Sequence, residues 1–260
     1  MKLRLMSYAQ EMEDIILWNV LRDIENGRYV DVGANDPWEI SVTQLFYDKG
    51  WRGVNIEPLS EMYDALVANR PEDVNVKLGA GQRSETKELL LAGACSTCNP
   101  DEIKKWGGGE LVQIEIKPLR EILSENDEEF QFMKIDVEGF EREVLLGNDF
   151  DRIRPWIIVM ESTYPRTSIP NHDRWEEILF DAEYSFIIQN GINRYYLRND
   201  KLELSSRFLS VEDLEDLYDV FYVRRKNINI NRAERLGNFI LKPIRPVYKL
   251  YRRIQYKMKR

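Results

Sequence analysis

The chain has 260 residues, of which 43% are hydrophobic and 32% are charged, and a formal net charge of −8. The apolar fraction is sufficient for the packed core of one domain, with room for an appendage. No stretch of about 18 uncharged apolar residues is present, which excludes a membrane-spanning helix. The charged start of the chain lacks the apolar run of a signal peptide, so a cytoplasmic protein is expected.

The charge is unevenly distributed along the chain. Residues 224–260 contain 13 Lys and Arg residues and a single acidic residue, Glu234. They therefore carry +12, which leaves −20 for residues 1–223. This predicts an acidic domain over residues 1–223, which argues against a broad nucleic-acid-binding face, and a basic tail over residues 224–260 that binds an anionic partner.

The predicted elements alternate between helices and strands. The first is an amphipathic helix over residues 9–21, because its apolar residues share one helical face. The remaining elements, in chain order, are strand 29–33, helix 40–48, strand 53–57, helix 60–69, strand 74–79, the irregular strand pair 86–92 and 111–117, strand 130–136, helix 141–146, strand 156–161, helix 174–182, and strands 184–189 and 194–197.

This alternation predicts an α/β fold with a mostly parallel, doubly wound sheet. Asn190-Gly191 between the last two predicted strands is a strong hairpin signal, and such a hairpin gives the sheet an antiparallel edge. From Val247 to Met258, apolar residues recur every three or four positions, which predicts a basic amphipathic C-terminal helix. We expect this helix to bind an anionic membrane surface, with an acidic protein or a nucleic acid as alternative partners.

The two cysteines, Cys95 and Cys98, form a C-x-x-C pair. A structural zinc site needs four ligands, and the sole histidine, His172, adds at most a third. A thioredoxin-like redox pair would need a flanking strand and helix, which the pattern lacks. We therefore interpret both cysteines as ordinary loop thiols.

Three predicted strands end in acidic residues or glycine turns, in the segments 29–35 (YVDVGAN), 55–58 (NIEP) and 134–139 (KIDVEG). Ligands of open α/β sheets bind at the carboxyl ends of the strands. Gly33 lets the backbone pass close to a ligand. Glu57 lies at the end of the next predicted strand, which is the position where a carboxylate accepts hydrogen bonds from both hydroxyls of an adenosine ribose.

The same two features are found in NAD sites, so the turn itself decides between cofactors. A dinucleotide pyrophosphate prefers G-x-G-x-x-G at a helix N-terminus, whereas the turn here reads GANDPW. This bulky turn favours an adenosine ligand without phosphates, such as S-adenosylmethionine (SAM).

Three segments resemble the FkbM family of methyltransferases: SYAQEMEDIILW, YVDVGANDPWEISVTQLFYDKGWRGVNIEP and FMKIDVEGFEREVLLG. The motifs D-V-G-A-x-x-P-x-x-x-S-x-T and K-I-D-V-E-G-x-E are both intact, and the resemblance covers residues 7–223. It implies a Rossmann-like class I methyltransferase that uses SAM to methylate a hydroxyl oxygen. Members often accompany enzymes of surface-polysaccharide or glycan assembly, and others act in polyketide tailoring.

The resemblance also implies roles for individual residues. The implied contacts are to the amino-acid end of SAM (Asp31, Gly33 and Asn35, with Ser41 and Thr43 nearby), to the ribose (Glu57), to the adenine (Gly79 and Ala80), and to the sulfonium and acceptor (Asp136). The segment LGAGQRS departs from many relatives, which have a polar residue before the alanine.

An alcohol is a poor nucleophile, so methyl transfer needs a base. The first candidate is His172, because histidine titrates near neutral pH and its loop is predicted to cross the mouth of the site. Asp136 and Glu161 are the next candidates. Together with Glu138, these two carboxylates could instead gather a divalent cation. Because carboxylates are also favoured at the start of the helix over 141–146, no metal ligands are assigned, and a divalent metal is the less favoured alternative.

The stretch Asn193-Arg194-Tyr195-Tyr196 is similar to a recurrent stretch in relatives. It predicts that Arg194 and Tyr195 bind the acceptor, since a guanidinium can bind an anionic or polyhydroxylated molecule. A surface ion pair is the alternative role for Arg194.

The predicted function is SAM-dependent O-methylation of a sugar hydroxyl in a cell-surface polysaccharide or glycan, by an enzyme peripheral to the inner face of the membrane. A small-molecule tailoring enzyme of the polyketide type is an alternative that leaves the basic tail unexplained. An NAD-linked oxidoreductase is disfavoured by the GANDPW turn. A non-catalytic binding module is disfavoured by the acids at Asp31, Glu57 and Asp136.

Overall fold

The computed structural model describes residues 2–106, 108–124 and 129–223. The strands of the described residues are β1 (Leu3–Ser7), β2 (Arg28–Val32), β3 (Arg52–Ile56), β4 (Val74–Val76), β5 (Gly79–Ala80), β6 (Glu85–Leu90), β7 (Leu111–Lys117), β8 (Phe132–Ile135), β9 (Ile157–Glu161), β10 (Tyr184–Asn190), β11 (Asn193–Arg198) and β12 (Tyr218–Tyr222). The α-helices are α1 (Glu13–Leu21), α2 (Gln44–Asp48), α3 (Ser60–Asn69), α4 (Pro100–Trp106), α5 (Leu119–Ile122), α6 (Glu141–Leu146), α7 (Glu176–Asp181) and α8 (Val211–Leu217).

The centre of the molecule is a seven-stranded sheet with the order β10-β11-β9-β8-β2-β3-β4. Strands β4, β3, β2, β8 and β9 are parallel, as predicted. The predicted hairpin of β10 and β11 is present, and β11 is antiparallel to both of its neighbours. Because β11 lies between β9 and β10, the antiparallel strand is inside the sheet, and the edge strand β10 runs parallel to the others. This is the α/β fold of class I methyltransferases.

Helices cover both faces of this sheet, because successive side chains of each strand point to opposite faces. On one face, Tyr29 and Phe132 pack with the apolar side chains of α1, α2 and α8. On the other face, Val30 and Met133 pack with those of α5, α6 and α7. The result is a three-layered domain with a core on each side of the sheet.

Two smaller sheets complete the described domain. Strands β5, β7 and β6 form a three-stranded sheet whose apolar residues pack in a third cluster with Phe140. Strands β1 and β12 pair in parallel, which joins the two ends of the described chain. The elements β1, β12, α4, α5 and α8 were not predicted from the sequence.

The first helix differs from its prediction. It begins at Glu13 rather than at residue 9, because Met12 has a left-handed backbone (φ 65°). It is also not amphipathic: all its residues except Trp18 are buried. The reason is tertiary, since β1, α8 and a 3-10 helix over Asn199–Arg207 cover the side that the sequence pattern left to solvent.

The basic tail over residues 224–260, and with it the predicted C-terminal helix, lies outside the described residues. In the part of the chain that the structure describes, every helix is too short or too polar to cross a lipid bilayer.

Candidate active site

A cavity of about 280 Å³ opens at the carboxyl ends of the parallel strands. Its floor is formed by the residues that follow β2, β3 and β8, and one wall is formed by the sheet of β5, β6 and β7. This is where open α/β sheets bind their ligands. The predicted site residues that line it are Gly33, Asn35, Glu57, Gly79, Ala80, Asp136 and Glu161.

The turn after β2 brings the backbone to the cavity floor. Gly33 has a positive φ of 78°, and a Cβ at this position would collide with the backbone carbonyl oxygen of Asp136. Only glycine therefore allows the ends of β2 and β8 to approach this closely. Asn35, two residues further along the turn, also lines the cavity and has a left-handed backbone, with φ 50°.

Glu57 is held rigidly at the end of β3. Its Oε2 accepts a hydrogen bond from the backbone N–H of Asn35 at 2.9 Å, and its Oε1 accepts one from the N–H of Leu59 at 2.8 Å. Burial raises the pKa of Glu57, although the two N–H donors and the charge of Lys134 oppose this effect. Each carboxylate oxygen keeps a further lone pair, so Glu57 can still accept hydrogen bonds from a ligand.

The wall opposite Glu57 is apolar. Gly79 and Ala80 of β5 line it, together with Leu89, Ile114 and Ile116 of the neighbouring strands. A Cβ at Gly79 would lie 3.1 Å from side-chain atoms of both isoleucines, so this strand also approaches its neighbours closely. An apolar wall of this kind suits an aromatic base, and the family resemblance implies that Gly79 and Ala80 contact the adenine.

Three carboxylates meet on the other side of the cavity. Asp136, Glu138 and Glu161 each offer an oxygen, and these oxygens all lie within 4.8 Å of one another. Burial raises the pKa of Glu161, and the negative charges of Asp136, Glu138 and Glu141 raise it further. Burial also raises the pKa of Glu138, with Asp136 and Glu141 adding to the effect. The cluster therefore needs protons or another positive charge at neutral pH.

Glu138 reaches this cluster because of its backbone. It has a left-handed conformation (φ 54°), whereas Glu141 accepts hydrogen bonds from the N–H groups of Val137 and Gly139 at the start of α6. The carbonyl oxygen of Glu138 accepts a hydrogen bond from Thr97 Oγ1 at 2.7 Å. Only Glu141 thus has the helix-start role that the sequence suggested for both glutamates.

Asp31 lies beneath the cavity rather than in its lining. Its Oδ2 accepts a 2.7 Å hydrogen bond from Thr43 Oγ1, and its Oδ1 lies 3.5 Å from Lys134 Nζ. Lys134 Nζ is also 3.5 Å from Asp136 Oδ2 and donates to the carbonyl oxygen of Gly33 at 2.8 Å. Although burial alone would lower the pKa of Lys134, Asp136 and Asp31 raise it above its ordinary value. In this structure Asp31 positions Lys134, which in turn positions Asp136.

Ser41 and Thr43 are also beneath the site. Both accept hydrogen bonds from the guanidinium of Arg70, which is fully buried and also donates to Gln44 Oε1 and the carbonyl oxygen of Pro37. The two hydroxyls therefore support the turn after β2 from below. The predicted proximity of Ser41 and Thr43 to the cofactor is indirect, because Asp31 and the turn lie between them and the cavity.

The structure places His172 away from the cavity, contrary to the prediction. The loop after β9 folds back on itself, with Asn171 N–H donating to the carbonyl oxygen of Ser162 and Tyr164 N–H donating to that of Ile169. His172 follows this loop in a short 3-10 helix and does not line the cavity. Its position outside the cavity lining does not support the predicted role as the base, which stays a prediction.

The predicted acceptor-binding residues also lie elsewhere. Tyr195 is fully buried and packs against Phe208 in the core. The guanidinium of Arg194 lies over the ring of Phe186 and forms an ion pair with Glu176 at 2.6 Å. Neither side chain is among those that line the cavity. The alternative role for Arg194, an ion pair, is the one that the structure shows.

Both cysteines are free thiols in the cavity wall. They belong to the loop over residues 93–98, which contributes five residues to the lining: Gly93, Ala94, Cys95, Ser96 and Cys98. Burial raises the pKa of Cys98 to about 12, so this thiol is protonated and unreactive. The sequence analysis did not place this loop at the site.

Sequence reasoning also missed Lys134 and Arg70. A signal for Lys134 was available, because a lysine inside a buried strand is rare unless it is paired. Asp136 follows it by two positions, so the strand alternation places both side chains on one face. Arg70 gave no such signal, since it follows α3 and an arginine near a helix end is ordinary.

The sequence model of the methyltransferase FkbM domain matches residues 31–186. A search among curated proteins gave no match. The solved structures similar to this chain include methyltransferase FkbM from Methylobacillus flagellatus KT, which is 19% identical with a TM-score of 0.44. The similarity covers 66% of this chain and 44% of that one, so this chain spans less than half of that protein's length.

Two other similar solved structures are those of a SAM-dependent methyltransferase and of a protein in complex with SAM. A TehB-like SAM-dependent methyltransferase from Corynebacterium glutamicum is 8% identical, with a TM-score of 0.40, over 72% of this chain and 87% of that chain. Trm1 from Pyrococcus horikoshii, solved in complex with S-adenosyl-L-methionine, is 12% identical, with a TM-score of 0.35. The similarity covers 74% of this chain and 56% of that chain.

Proposed function

Because this chain belongs to the FkbM methyltransferase family, we propose that it is a SAM-dependent O-methyltransferase whose acceptor is a sugar hydroxyl. The observation that carries the proposal is the placement of Glu57. Its buried carboxylate is fixed by two backbone N–H groups on the floor of a cavity, between the Gly33 turn and an apolar wall. Such a carboxylate, open to two hydroxyl donors beside a wall that accepts a flat ring, suits an adenosine.

The residues around the cavity fit the rest of SAM. The methionine end of SAM would lie over Gly33, where no Cβ blocks its approach to the backbone. The carboxylates of Asp136 and Glu161 would face the positively charged sulfur and amino group, which supply part of the positive charge that this side of the cavity needs. Contacts of Gly33, Asn35, Glu57, Gly79, Ala80 and Asp136 with the cofactor remain predictions.

Bound SAM supplies a methyl group whose bond to sulfur breaks as the bond to the acceptor oxygen forms. The protein's part is to hold the acceptor in line and to take the proton from its hydroxyl. With His172 outside the cavity, we propose Asp136 as the base, since its carboxylate lines the cavity and Lys134 holds it in place. We assign Glu161, which is deeper and has a raised pKa, to orienting the acceptor.

The charged side of the cavity supports a sugar as the acceptor. A sugar presents several hydroxyl donors, and Asp136, Glu138 and Glu161 present several acceptors close together. The apolar wall of Leu89 and Ile114 favours a second candidate, a small acceptor of the polyketide type. A methyl-transfer assay with radiolabelled SAM distinguishes the two candidates. Both classes of acceptor are offered together, and the class that becomes labelled is the acceptor.

The first test measures binding of S-adenosylhomocysteine, the demethylated product, by calorimetry. We expect Glu57→Gln to weaken binding by about 10- to 100-fold, because a charge-assisted hydrogen bond contributes about 1.5 to 3 kcal/mol. The matched control is Glu61→Gln, an exposed carboxylate in the first turn of α3. Equal affinities for wild type and Glu57→Gln, or binding of NAD instead, would contradict the proposal.

We also propose that the basic tail over residues 224–260 attaches the enzyme to the anionic inner face of a membrane. The support is its charge of +12 and the apolar spacing between Val247 and Met258. Several cations at an anionic lipid surface contribute about 1 kcal/mol each. A membrane-bound glycan would then lie within reach of the active site.

A further inference from the structure

The acidic side of the cavity combines residues from three places in the fold. Asp136 follows β8, Glu138 lies in the turn before α6, and Glu161 is the last residue of β9. Their oxygens lie within 4.8 Å of one another. Octahedral coordination of Mg²⁺ places neighbouring oxygens about 3 Å apart and opposite oxygens about 4.2 Å apart. Small side-chain rotations therefore bring the three oxygens to coordination distance.

Two of these carboxylates have oxygens without a hydrogen-bond partner among the described residues. Glu161 is 5% exposed, and its Oε2 is buried and accepts no hydrogen bond from an N–H or hydroxyl donor of the described residues, although its carboxyl group contacts that of Asp136. Oε2 of Glu138 is in the same situation. Buried polar atoms are almost always paired in proteins, and leaving them unpaired is costly. Both unpaired oxygens belong to residues that line the cavity, so a ligand in the cavity can reach them.

The nearby lysine neutralises the cluster only in part, because it pairs with Asp136 and also with Asp31 outside the cluster. Lys134 lies between Asp31 and Asp136 and donates its hydrogen bond to a backbone carbonyl. The strongest charges acting on Glu161 are all negative, from Asp136, Glu138 and Glu141. The cluster thus has an excess of negative charge at the point where two oxygens lack partners.

We propose that Asp136, Glu138 and Glu161 bind a hard divalent cation, Mg²⁺ or Mn²⁺, with its open coordination positions facing the cavity. Carboxylate oxygens without histidine or thiolate ligands are typical of these cations. On the proposed function, the open positions take two neighbouring hydroxyl oxygens of the acceptor. A bound cation lowers the pKa of such a hydroxyl and fixes its orientation, and the Asp136 oxygen that does not bind the cation takes the proton. The cation would thus select acceptors with adjacent hydroxyls.

Two other species could satisfy the same oxygens. A proton shared between carboxylates would remove the need for a cation, and so would the positive charge of SAM. The experiment therefore uses S-adenosylhomocysteine, whose sulfur is neutral, and compares the protein with and without it. Mn²⁺ is the probe, because the paramagnetic resonance signal of the free ion disappears when it binds.

We expect the full-length protein to bind one Mn²⁺ at pH 7.5, with or without S-adenosylhomocysteine. Glu161→Gln and Glu138→Gln should each weaken this binding at least about tenfold, because even the loss of an outer-shell partner of a metal ligand typically costs about 10- to 100-fold in affinity. Glu143→Gln on α6, which does not line the cavity, is the matched control and should bind Mn²⁺ like the wild type. Two glutamine variants are used so that a folding defect in one does not decide the outcome.

Absence of Mn²⁺ binding, or equal binding by wild type and both glutamine variants, would overturn the proposed cation site. Binding of S-adenosylhomocysteine is measured on the same samples, which separates this proposal from the proposed function. If S-adenosylhomocysteine binds and Mn²⁺ does not, the cation site is wrong and the cofactor assignment stands. If Mn²⁺ binds and S-adenosylhomocysteine does not, the cation site stands and the cofactor assignment is wrong.

Discussion

Single carboxylates in this protein are placed where water cannot reach them, and Glu13 is the clearest case outside the active site. Its Oε2 accepts a hydrogen bond from the backbone N–H of Glu11, and its Oε1 accepts one from Asn193 Nδ2, both at 2.7 Å. Burial raises its pKa from the ordinary 4.5 to about 8, although the N–H donors oppose this effect. Glu13 is therefore protonated in the folded protein at neutral pH and ionised in the unfolded chain.

This difference predicts a pH dependence of stability. Between pH 4.5 and about 8 the folded state holds a proton that the unfolded state releases, so stability falls as pH rises through this window. The slope due to one such group is at most about 1.4 kcal/mol per pH unit. Glu13→Gln removes the group. The unfolding free energy of the wild type minus that of Glu13→Gln should therefore decrease from pH 5 to pH 8.

Urea unfolding at four pH values in this range measures the difference. Glu25→Gln, an exposed carboxylate that follows the same helix, is the control and should show no such trend. A difference between wild type and Glu13→Gln that stays constant from pH 5 to pH 8 would contradict a raised pKa for Glu13.

At the scale of elements, α6 determines how closely the apolar wall of the cavity packs against the central sheet. Gly147 ends this helix, and a Cβ there would collide with the backbone carbonyl oxygen of Gly81. Gly81 follows Ala80, which lines the cavity. The close packing of α6 on this segment thus keeps β5 in position at the site.

Gly147→Ala should therefore move β5 as well as destabilise the domain. Overpacking of this kind costs about 1 to 3 kcal/mol, and we expect weaker S-adenosylhomocysteine binding in calorimetry. Gly50→Ala is the matched control: its φ of 90° is strained for alanine, but no atom lies within 4 Å of the added Cβ. It should lose stability by about 1 to 2 kcal/mol and keep its affinity. Unchanged affinity in Gly147→Ala would contradict the proposed link between α6 and the site.

For the whole molecule, the contrast between the acidic residues 1–223 and the basic tail over residues 224–260 predicts that membrane binding depends on the tail and is separable from cofactor binding. Full-length protein should pellet with vesicles containing phosphatidylglycerol and not with pure phosphatidylcholine vesicles. Replacing Arg252, Arg253, Lys257 and Lys259 by glutamine should weaken this binding by roughly a thousandfold, at about 1 kcal/mol per cation. Two results would contradict the membrane proposal. One is equal pelleting of the full-length protein with both types of vesicle; the other is pelleting of a chain that ends at Val223 as efficiently as the full-length protein.

The strand ends could be predicted from the sequence because they depend on local patterns. Glu57, Asp136 and Glu161 each follow or end a buried apolar strand, and parallel strands bring their carboxyl ends to one edge of the sheet. The position of most site residues follows from this rule, and the hairpin follows from the Asn190-Gly191 turn, whereas the strand order was not predicted. For the same reason, the turn at Gly33 was identified as a place of close backbone approach.

The remaining features depend on contacts between residues far apart in the chain, and only the tertiary structure decided them. His172, Arg194 and Tyr195 were assigned to the site from their positions after a strand end or in a hairpin, but none of the three lines the cavity. Helix α1 is buried on nearly all sides because β1 and α8, distant in sequence, cover it. Sequence patterns thus determined which segments form the sheet and where it ends in acids, whereas packing determined which side chains face the cavity.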